Sequence, residues 1–522
     1  MAGALNSLCW LPFGLAPLIP LALLLAMRGL RMLERTRDAA LFGAVFAAVR
    51  VAVGGHYILS LVTYSRLAPV LLAMDIAYYL PFDILLMCGA LAIERKARVP
   101  RTVAFALLYV ALEWARTLGD LSNCSDTLAH GFGVQPSWLA WNSWAGPYFI
   151  SVLALGVALA LDAAIRMWPR RGLAITTAAA AAVLWVAPPV SDLLAGPAPS
   201  HAAPGLRVGI VQPSISVEEK LDRQRWPQTW AYLEELSRRA ADGADLVIWP
   251  ETARPGAILW RDGQPFSDPE MEQLAKRIGV PILYGCEIAR IRGGKVAELY
   301  NAAALARADG GRGEWYAKQR LLPFVEGVPF ASWFGWDPAK ARREPGPERS
   351  FLTLLGHFSR GTTPTIFHVG PARIGVLICY EGFYPQLVRR YRLAGANALC
   401  VMTNDAWWGH TIFAKWHAQM VASRAREADV PVVRAANSGV SSITDRSGKI
   451  GATTGLFEKT VLQVDLHPSD AGPTIYGRTG DLLVWADLAA LAILWIAAFL
   501  RPRRDAAAQT RVVPKARPRP AV

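Results

Sequence analysis

The stretch Arg373-Ile-Gly-Val-Leu-Ile-Cys379-Tyr-Glu381-Gly-Phe383 decides how this chain reads. An apolar run of strand length meets a cysteine, and a short turn leads to Tyr384–Leu393, which reads as a helix. A strand that turns abruptly into a helix is an elbow that lifts one side chain clear of its sheet. A thiol held there lies beside backbone N–H groups and a helix N-terminus, which favour both a thiolate and a developing oxyanion. Free cysteines are more often simply buried. Cys286 and Cys400, inside apolar runs, fit that description, whereas Cys379 ends its run. With Cys9, Cys88 and Cys124 they make six cysteines of no short repeated spacing, so neither a disulfide framework nor a zinc ribbon is expected.

Two further stretches carry candidate chemistry. In Leu246-Val-Ile-Trp-Pro250-Glu251 an apolar strand ends in Pro and a carboxylate, which puts Glu251 at the sheet edge where open α/β sheets hold ligands. In Lys318-Gln-Arg-Leu-Leu-Pro-Phe-Val-Glu326-Gly-Val-Pro329 a Lys and a Glu flank a Pro-Phe turn. Each alone reads as well as a surface or capping feature. Around them, strands are expected at Leu206–Gln212, Asp245–Trp249, Pro281–Cys286, Ala302–Ala306, Arg373–Ile378, Ala398–Thr403, Val430–Arg434 and Ser441–Thr444. Helices are expected at Gln224–Ala241, Pro269–Arg277, Tyr384–Leu393 and Lys415–Ala428. The interleaving predicts an α/β block over 200–481, large enough for a substantial core.

The rest of the 522 residues is of another kind. The chain is 53% hydrophobic and only 18% charged, with a mean hydropathy of +0.25. Soluble domains carry about a quarter charged residues, so an ordinary cytosolic enzyme is excluded, and 19 tryptophans exclude disorder. Apolar stretches at 9–27, 39–61, 67–93, 102–119, 144–165, 173–191 and 482–500 give seven candidate spans. The domain reading is therefore a helical bundle with linker over 1–199, the α/β block, a C-terminal span at 482–500 and a basic, disordered tail at 501–522. Pro188–Pro204 reads as the linker. Arg-rich segments 28–38, 94–101 and 166–171 alternate with loops that hold little beyond Arg66 and Arg116. By the positive-inside rule the first set and the tail face the cytoplasm, and the α/β block faces outward. The tail holds +6 of the net charge of +14, which suits a membrane surface rather than a nucleic-acid face. Arg50, Asp75, Asp83, Glu113, Arg116 and Asp487 lie inside candidate spans, where mutual pairing is the expected arrangement.

Taken in order, Glu251, Lys318 and Cys379 resemble the triad of the nitrilase superfamily, with gaps of 67 and 61 residues. Gln212, Trp249-Pro250-Glu251 and Asn404-Asp-Ala-Trp-Trp-Gly409 stand in the flanking places. The chain is most similar to the membrane-embedded branch, the apolipoprotein N-acyltransferases. The tokens are Lys318 to Pro329, Phe358-Ser-Arg-Gly361, Ile378-Cys-Tyr-Glu381, Trp416-His417, Arg434…Asn437-Ser-Gly-Val440 and Tyr476…Arg478-Thr-Gly480. In the bundle the match thins to Pro12-Phe13…Pro17 and Glu113-Trp114-x-Arg116.

The resemblance implies a multi-span helical bundle carrying an extracytoplasmic nitrilase-like αββα sandwich. It implies a monomer in the bacterial inner membrane with the catalytic block in the periplasm. An acyl chain would pass from a phospholipid, phosphatidylethanolamine by the resemblance, to Cys379 as a thioester. It would then pass to the α-amine of a diacylglyceryl-cysteine on a lipoprotein. Glu251 would be the base. Lys318 and the Tyr380 N–H would hold the oxyanion, Glu326 would orient Lys318, and Tyr380 and Glu381 would shape the pocket. No metal, organic cofactor or nucleic acid is implied, and His130, His410 and His417 are too dispersed for a metal site.

Three departures from the family pattern stand out. Seven spans are counted where the family has eight, as though the chain began at the second. Lys220 is followed by Leu221 rather than Trp, with Trp226 nearby. Loop 117–143, with Cys124, Trp138, Trp141 and Trp144, does not carry the family text and reads as an interfacial aromatic belt. The alternatives are a membrane-tethered nitrilase-like amidase with water as acceptor, and a catalytically dead membrane scaffold.

Overall fold

The computed structural model describes residues 1–11, 13–63, 68–196, 205–311, 313–331, 333 and 358–500. The expected tail 501–522, Arg66 and the linker residues 197–204 lie outside these.

Two sheets form the α/β block. The first holds β1 (Leu206–Gln212), β2 (Leu246–Ile248), β3 (Ala257–Arg261), β4 (Ile282–Arg292), β5 (Lys295–Ala306) and β6 (Glu314–Ala317). The second holds β7 (Ile366–Val369), β8 (Ala372–Ile378), β9 (Ala398–Thr403), β10 (Val432–Ala436), β11 (Ser442–Thr444) and β12 (Ile450–Thr453). The last strand, β13 (Thr460–Leu466), returns to the first sheet and pairs antiparallel with β1. The sheet orders are β13-β1-β2-β4-β5-β6, with β3 beside β4, and β12-β11-β10-β9-β8-β7. The middle of each is parallel (β1–β2–β4 and β8–β9–β10) and the flanks are antiparallel, except that β3 runs parallel to β4.

Strand alternation sorts the faces. Val208 and Ile210 share one core with Ile374, Val376 and Ile378. Val211, Val247 and Trp249 enter a second core beneath helices Trp226–Ala240 and Pro269–Ile278. Helix Trp226–Ala240 comes so close that a Cβ on Gly209 would stand 2.1 Å from the Ala240 carbonyl oxygen. Helices Pro385–Leu393 and Phe413–Ala428 pack on the second sheet. The result is an αββα sandwich.

The helical region departs from the seven expected stretches. Among the described residues, four helices are long and apolar enough to cross a membrane, namely Ala68–Ala97, Tyr148–Arg166, Arg171–Ala195 and Leu482–Leu500. A fifth is counted if Thr36–Gly54 and His56–Thr63, bent by 52°, form one span. The first expected stretch is split into Ala2–Trp10 and Ile19–Arg31, because Gly14 takes a φ of +71° and Pro17 opens a new turn. The fourth yields only the 15-residue helix Arg101–Ala115. The linker reading of Pro188 and Pro189 is corrected: both lie inside Arg171–Ala195. Within the same helix Ser191 Oγ donates to the Pro188 carbonyl at 2.7 Å.

Three of the six in-span charges, Arg50, Asp83 and Arg116, enter ion pairs. Arg50 binds Asp83 and Asp126, each at 2.9 Å, and Arg116 reaches Asp126 at 2.8 Å. Glu113 accepts the Leu128 N–H at 2.8 Å. Asp126 and Leu128 belong to loop 117–143, so these pairs fasten that loop to the bundle. The belt reading of the loop is corrected accordingly: Cys124, Leu128, His130 and Phe132 are buried, Trp138 packs on Trp185, and Trp144 is left exposed.

Candidate active site

Cys379 follows the last residue of β8 and opens the turn Cys379–Phe383. Its φ is +50°, a left-handed value that costs a non-glycine residue about 1–3 kcal/mol and survives only where the surroundings hold it. Glu381 does much of the holding. Fully buried, it accepts from the Ile378 N–H (2.8 Å), the Gln319 N–H (2.6 Å), the Arg320 N–H (3.0 Å) and the Tyr316 hydroxyl (2.7 Å). One carboxylate therefore clamps the elbow to the segment that carries Lys318. Burial pushes the Glu381 carboxyl upward, against the pull of these donors. The Tyr380 side chain turns toward the helical region, where its hydroxyl donates to the Ser122 carbonyl at 2.9 Å.

Glu251 stands three residues past β2. Space for its turn is made by Gly285 of β4, where a Cβ would lie 2.3 Å from the Pro250 carbonyl oxygen. One Glu251 oxygen accepts from Asn301 Nδ2 at 2.8 Å and meets Lys318 Nζ at 3.5 Å, and the other accepts the Asn404 N–H at 2.8 Å. Lys318 donates to Glu326 at 2.7 Å, and Glu326 also accepts from Asn301 (3.0 Å) and the Leu322 N–H (2.9 Å). Lys318 is 1% exposed and Glu251 6%. Burial works against the ammonium, but Glu326 and then Glu251 outweigh it and hold the Lys318 pKa above its ordinary value. One buried cation between two carboxylates leaves the group with a net negative charge before the thiol is counted.

Cys379 feels this set electrostatically. Burial is the largest influence on the thiol and raises its pKa, Glu251 raises it further, and Lys318 pulls it down. The net influence on Cys379 is upward, which favours the thiol over a standing thiolate. Such a site needs a base at the moment of attack. Cys286 and Cys400 are buried inside β4 and β9 with raised thiols, as expected of structural cysteines.

Two groups escaped the sequence reading. Asn301 bridges Glu251 and Glu326, and its signal was a lone amide in the small apolar run Tyr300–Ala306. Asp405 is buried between Arg434 (2.7 Å) and His417 (3.0 Å). Burial opposes its charge, but Arg434 and then His417 hold its carboxyl well below the usual range. These contacts pin the Asn404–Gly409 segment whose first N–H binds Glu251. Lys220 donates to Thr252 Oγ1 and lies 3.5 Å from the Glu251 carbonyl oxygen, while Trp226 Nε1 donates to the Lys220 carbonyl at 3.2 Å.

The helical region closes over the elbow. Ser122 O accepts from both Tyr380 and Tyr384, Cys124 Sγ donates to the Phe383 carbonyl at 3.4 Å, and Tyr57 packs edge-on to Trp408 at 5.3 Å. Asp120 accepts from Arg360 at 2.8 Å and from the Phe330 N–H at 3.0 Å.

Comparison with known proteins agrees with this architecture. A carbon-nitrogen hydrolase family model matches residues 207–476, and a model of the apolipoprotein N-acyltransferase N-terminal domain matches residues 2–160. An apolipoprotein N-acyltransferase of Geobacter metallireducens is 33% identical over 308 residues, 58% of this chain and 55% of that one. One of Chlorobaculum tepidum is 30% identical over 326 residues, 58% of each. The chain thus spans little more than half the length of these two relatives. With the Azotobacter vinelandii apolipoprotein N-acyltransferase it is 30% identical over 522 residues, 97% of this chain and 95% of the relative. A likeness that runs nearly end to end, through both matched regions in the same order, shows that the chain belongs to the apolipoprotein N-acyltransferase family.

Proposed function

We propose that this chain transfers an acyl group from a membrane phospholipid, through a thioester on Cys379, to the α-amine of an N-terminal diacylglyceryl-cysteine of a lipoprotein. The observation that carries the reading is the buried carboxylate–ammonium–carboxylate set acting electrostatically on a thiol at a left-handed elbow.

Glu251 takes the thiol proton as sulfur attacks the donor's ester carbon. The carbonyl oxygen becomes an oxyanion beside the Lys318 ammonium and the first N–H groups of the Cys379–Phe383 turn. The C–O bond breaks, and the departing lysophospholipid alkoxide takes the proton from Glu251. In the second half the amine attacks the thioester, Glu251 accepts its proton, the C–S bond breaks, and the sulfur leaves as the thiol after recovering that proton. Microscopically the same carboxyl serves as base and acid in both halves. Glu326 keeps Lys318 charged and in place, and Asn301 ties the two carboxylates together. The closure of helical segments over the elbow supports substrates that arrive from a bilayer.

The same reading divides the chain into a bundle over 1–199, a catalytic block over 200–481, a last span at 482–500 and a cytoplasmic tail at 501–522. It sets the catalytic block outside the inner membrane, takes phosphatidylethanolamine as donor and has the chain act as a monomer. Mass spectrometry of the purified chain with phosphatidylethanolamine tests the first half: an acyl adduct on Cys379 that hydroxylamine removes is expected. Addition of a diacylglyceryl peptide should convert the adduct to a peptide amide. Release of free fatty acid alone, with the peptide unmodified, would overturn the transferase reading in favour of a hydrolase.

A further inference from the structure

A cavity of about 410 Å³ is lined by none of the residues of the elbow or of the Glu251–Lys318–Glu326 set. Its walls include Arg426, Arg446 and Arg478, with Asp429 as the sole acid among them, and Trp144 and Ile475 at its rim. Arg446 pairs with Asp429 and Arg426 with Asp192, but among the described residues the Arg478 guanidinium meets no carboxylate and donates to the Pro473 carbonyl at 3.1 Å. Trp144 is 59% exposed and Ile475 57%. Arg426 is thirteen residues beyond Phe413 on one helix, about 20 Å along its axis, so the cavity sits at the far end of that helix from the segment near Glu251.

Three membrane-length helices end around it. Trp144 lies four residues before Tyr148–Arg166, and Ile475 lies seven before Leu482–Leu500. Asp192, on the last turn of Arg171–Ala195, holds Arg426. The cavity is therefore at headgroup depth on the side of the sheet domain. Arginines in such a position match a phosphodiester by charge and by forked donor geometry, and an exposed Trp beside an aliphatic side chain suits the boundary between headgroup and acyl chains.

We propose that this cavity binds the headgroup of an anionic phospholipid, with the phosphate at Arg478 and the acyl chains running down between the helix ends. It is a docking site separate from the acyl-transfer centre, and it holds the sheet domain against the membrane surface.

The test uses the full chain with Cys379→Ala, so that turnover consumes no lipid, in phosphatidylcholine nanodiscs containing phosphatidylglycerol with a photoactivatable headgroup. Labelling should map to peptides containing Trp144 or Ile475. Arg478→Gln should cut the yield about ten-fold, as the loss of a charge-assisted hydrogen bond would, and Arg478→Lys should retain most of it. Ser143→Glu, which sets a carboxylate on the wall at the expense of one weak 3.4 Å bond, should cut it similarly without touching an arginine. Labelling spread over the bundle, or unchanged in Ser143→Glu and Arg478→Gln, would overturn the proposal. So would full competition by millimolar inorganic phosphate, which would mark an anion site rather than a lipid site. Because the readout is labelling in a Cys379→Ala chain, its failure is distinct from failure of the acyl-transfer reading.

Discussion

Glu381→Gln probes how the elbow is held. The wild-type carboxylate serves four donors, three at one oxygen and the Ile378 N–H at the other. An amide set to serve the three must point its NH2 at the Ile378 N–H. That buried donor then lacks an acceptor, at about 1–3 kcal/mol, and the other three bonds lose charge assistance at about 1 kcal/mol each. Removing a buried charge returns part of this, so a net loss of about 2–3 kcal/mol is expected. For a domain of this size that lowers Tm by about 4–10 °C. The larger effect is on geometry. Gln319 and Arg320 are the next two residues after Lys318, so slack in the clamp lets the ammonium drift from the thiol. A displacement near 1 Å costs about 100-fold in rate. Single-turnover mass spectrometry of the Cys379 acyl adduct should show that drop, while thermal unfolding shows the modest shift. A variant with wild-type Tm and wild-type adduct formation would refute the idea that Glu381 sets the elbow.

Other outcomes follow from the same contacts. Alkylation of Cys379 by a neutral reagent, followed by mass against pH, should have a midpoint above the ordinary cysteine range. Glu251→Gln should move it down, because a like charge is removed, and Lys318→Met should move it up; Cys286 and Cys400 should stay unmodified in the folded chain. Asp405, with a depressed carboxyl, contributes stability that is present above the unfolded aspartate value and lost as pH falls through its lower folded value. Arg434→Met strips its main partner, should cost about 3–5 kcal/mol, and should shift acid unfolding to higher pH in a denaturation series. Asp126→Asn leaves Arg50 and Arg116 without their shared partner, and hydrogen exchange across 122–128 should quicken while β8 and β9 stay protected. Asn301→Leu should reduce adduct formation more than it reduces Tm, since it severs the Glu251–Glu326 bridge; equal effects on both would argue for a purely packing role.

Local pattern carried much of the fold. β1 and β9 begin and end where the apolar runs do, and helices 269–278 and 413–428 sit within about two residues of their expected bounds. The strands that escaped notice include β3, β7 and β12, four- or five-residue elements too short to show an alternation of their own before a neighbour pairs with them. The first apolar stretch failed as a span because hydropathy does not see a left-handed Gly14. At the site, Glu251 and Cys379 stand out in the sequence because each ends or follows an apolar strand, whereas Lys318 stands out only through the family resemblance; the structure brings Lys318 Nζ to 3.5 Å from Glu251. Asn301 was not, because its meaning depends on two carboxylates brought from fifty residues before it and twenty-five after. Loop 117–143 was misread because its aromatic residues and its Asp126 find partners in spans and in the elbow, which no local window contains.

The pairing of β13 with β1 has a bearing on how the chain is made. During synthesis β1 emerges about 250 residues before the strand that seals its open flank. A ribosome adding about 5–20 residues per second leaves that edge bare for tens of seconds. Over that interval the nascent block has an unsatisfied row of backbone groups along β1, and only fifteen residues separate its closure from the start of the last hydrophobic helix. Completion of the sheet and insertion of that helix are thus nearly simultaneous events, and a lesion in 460–466 should be read by the cell as a failure of both.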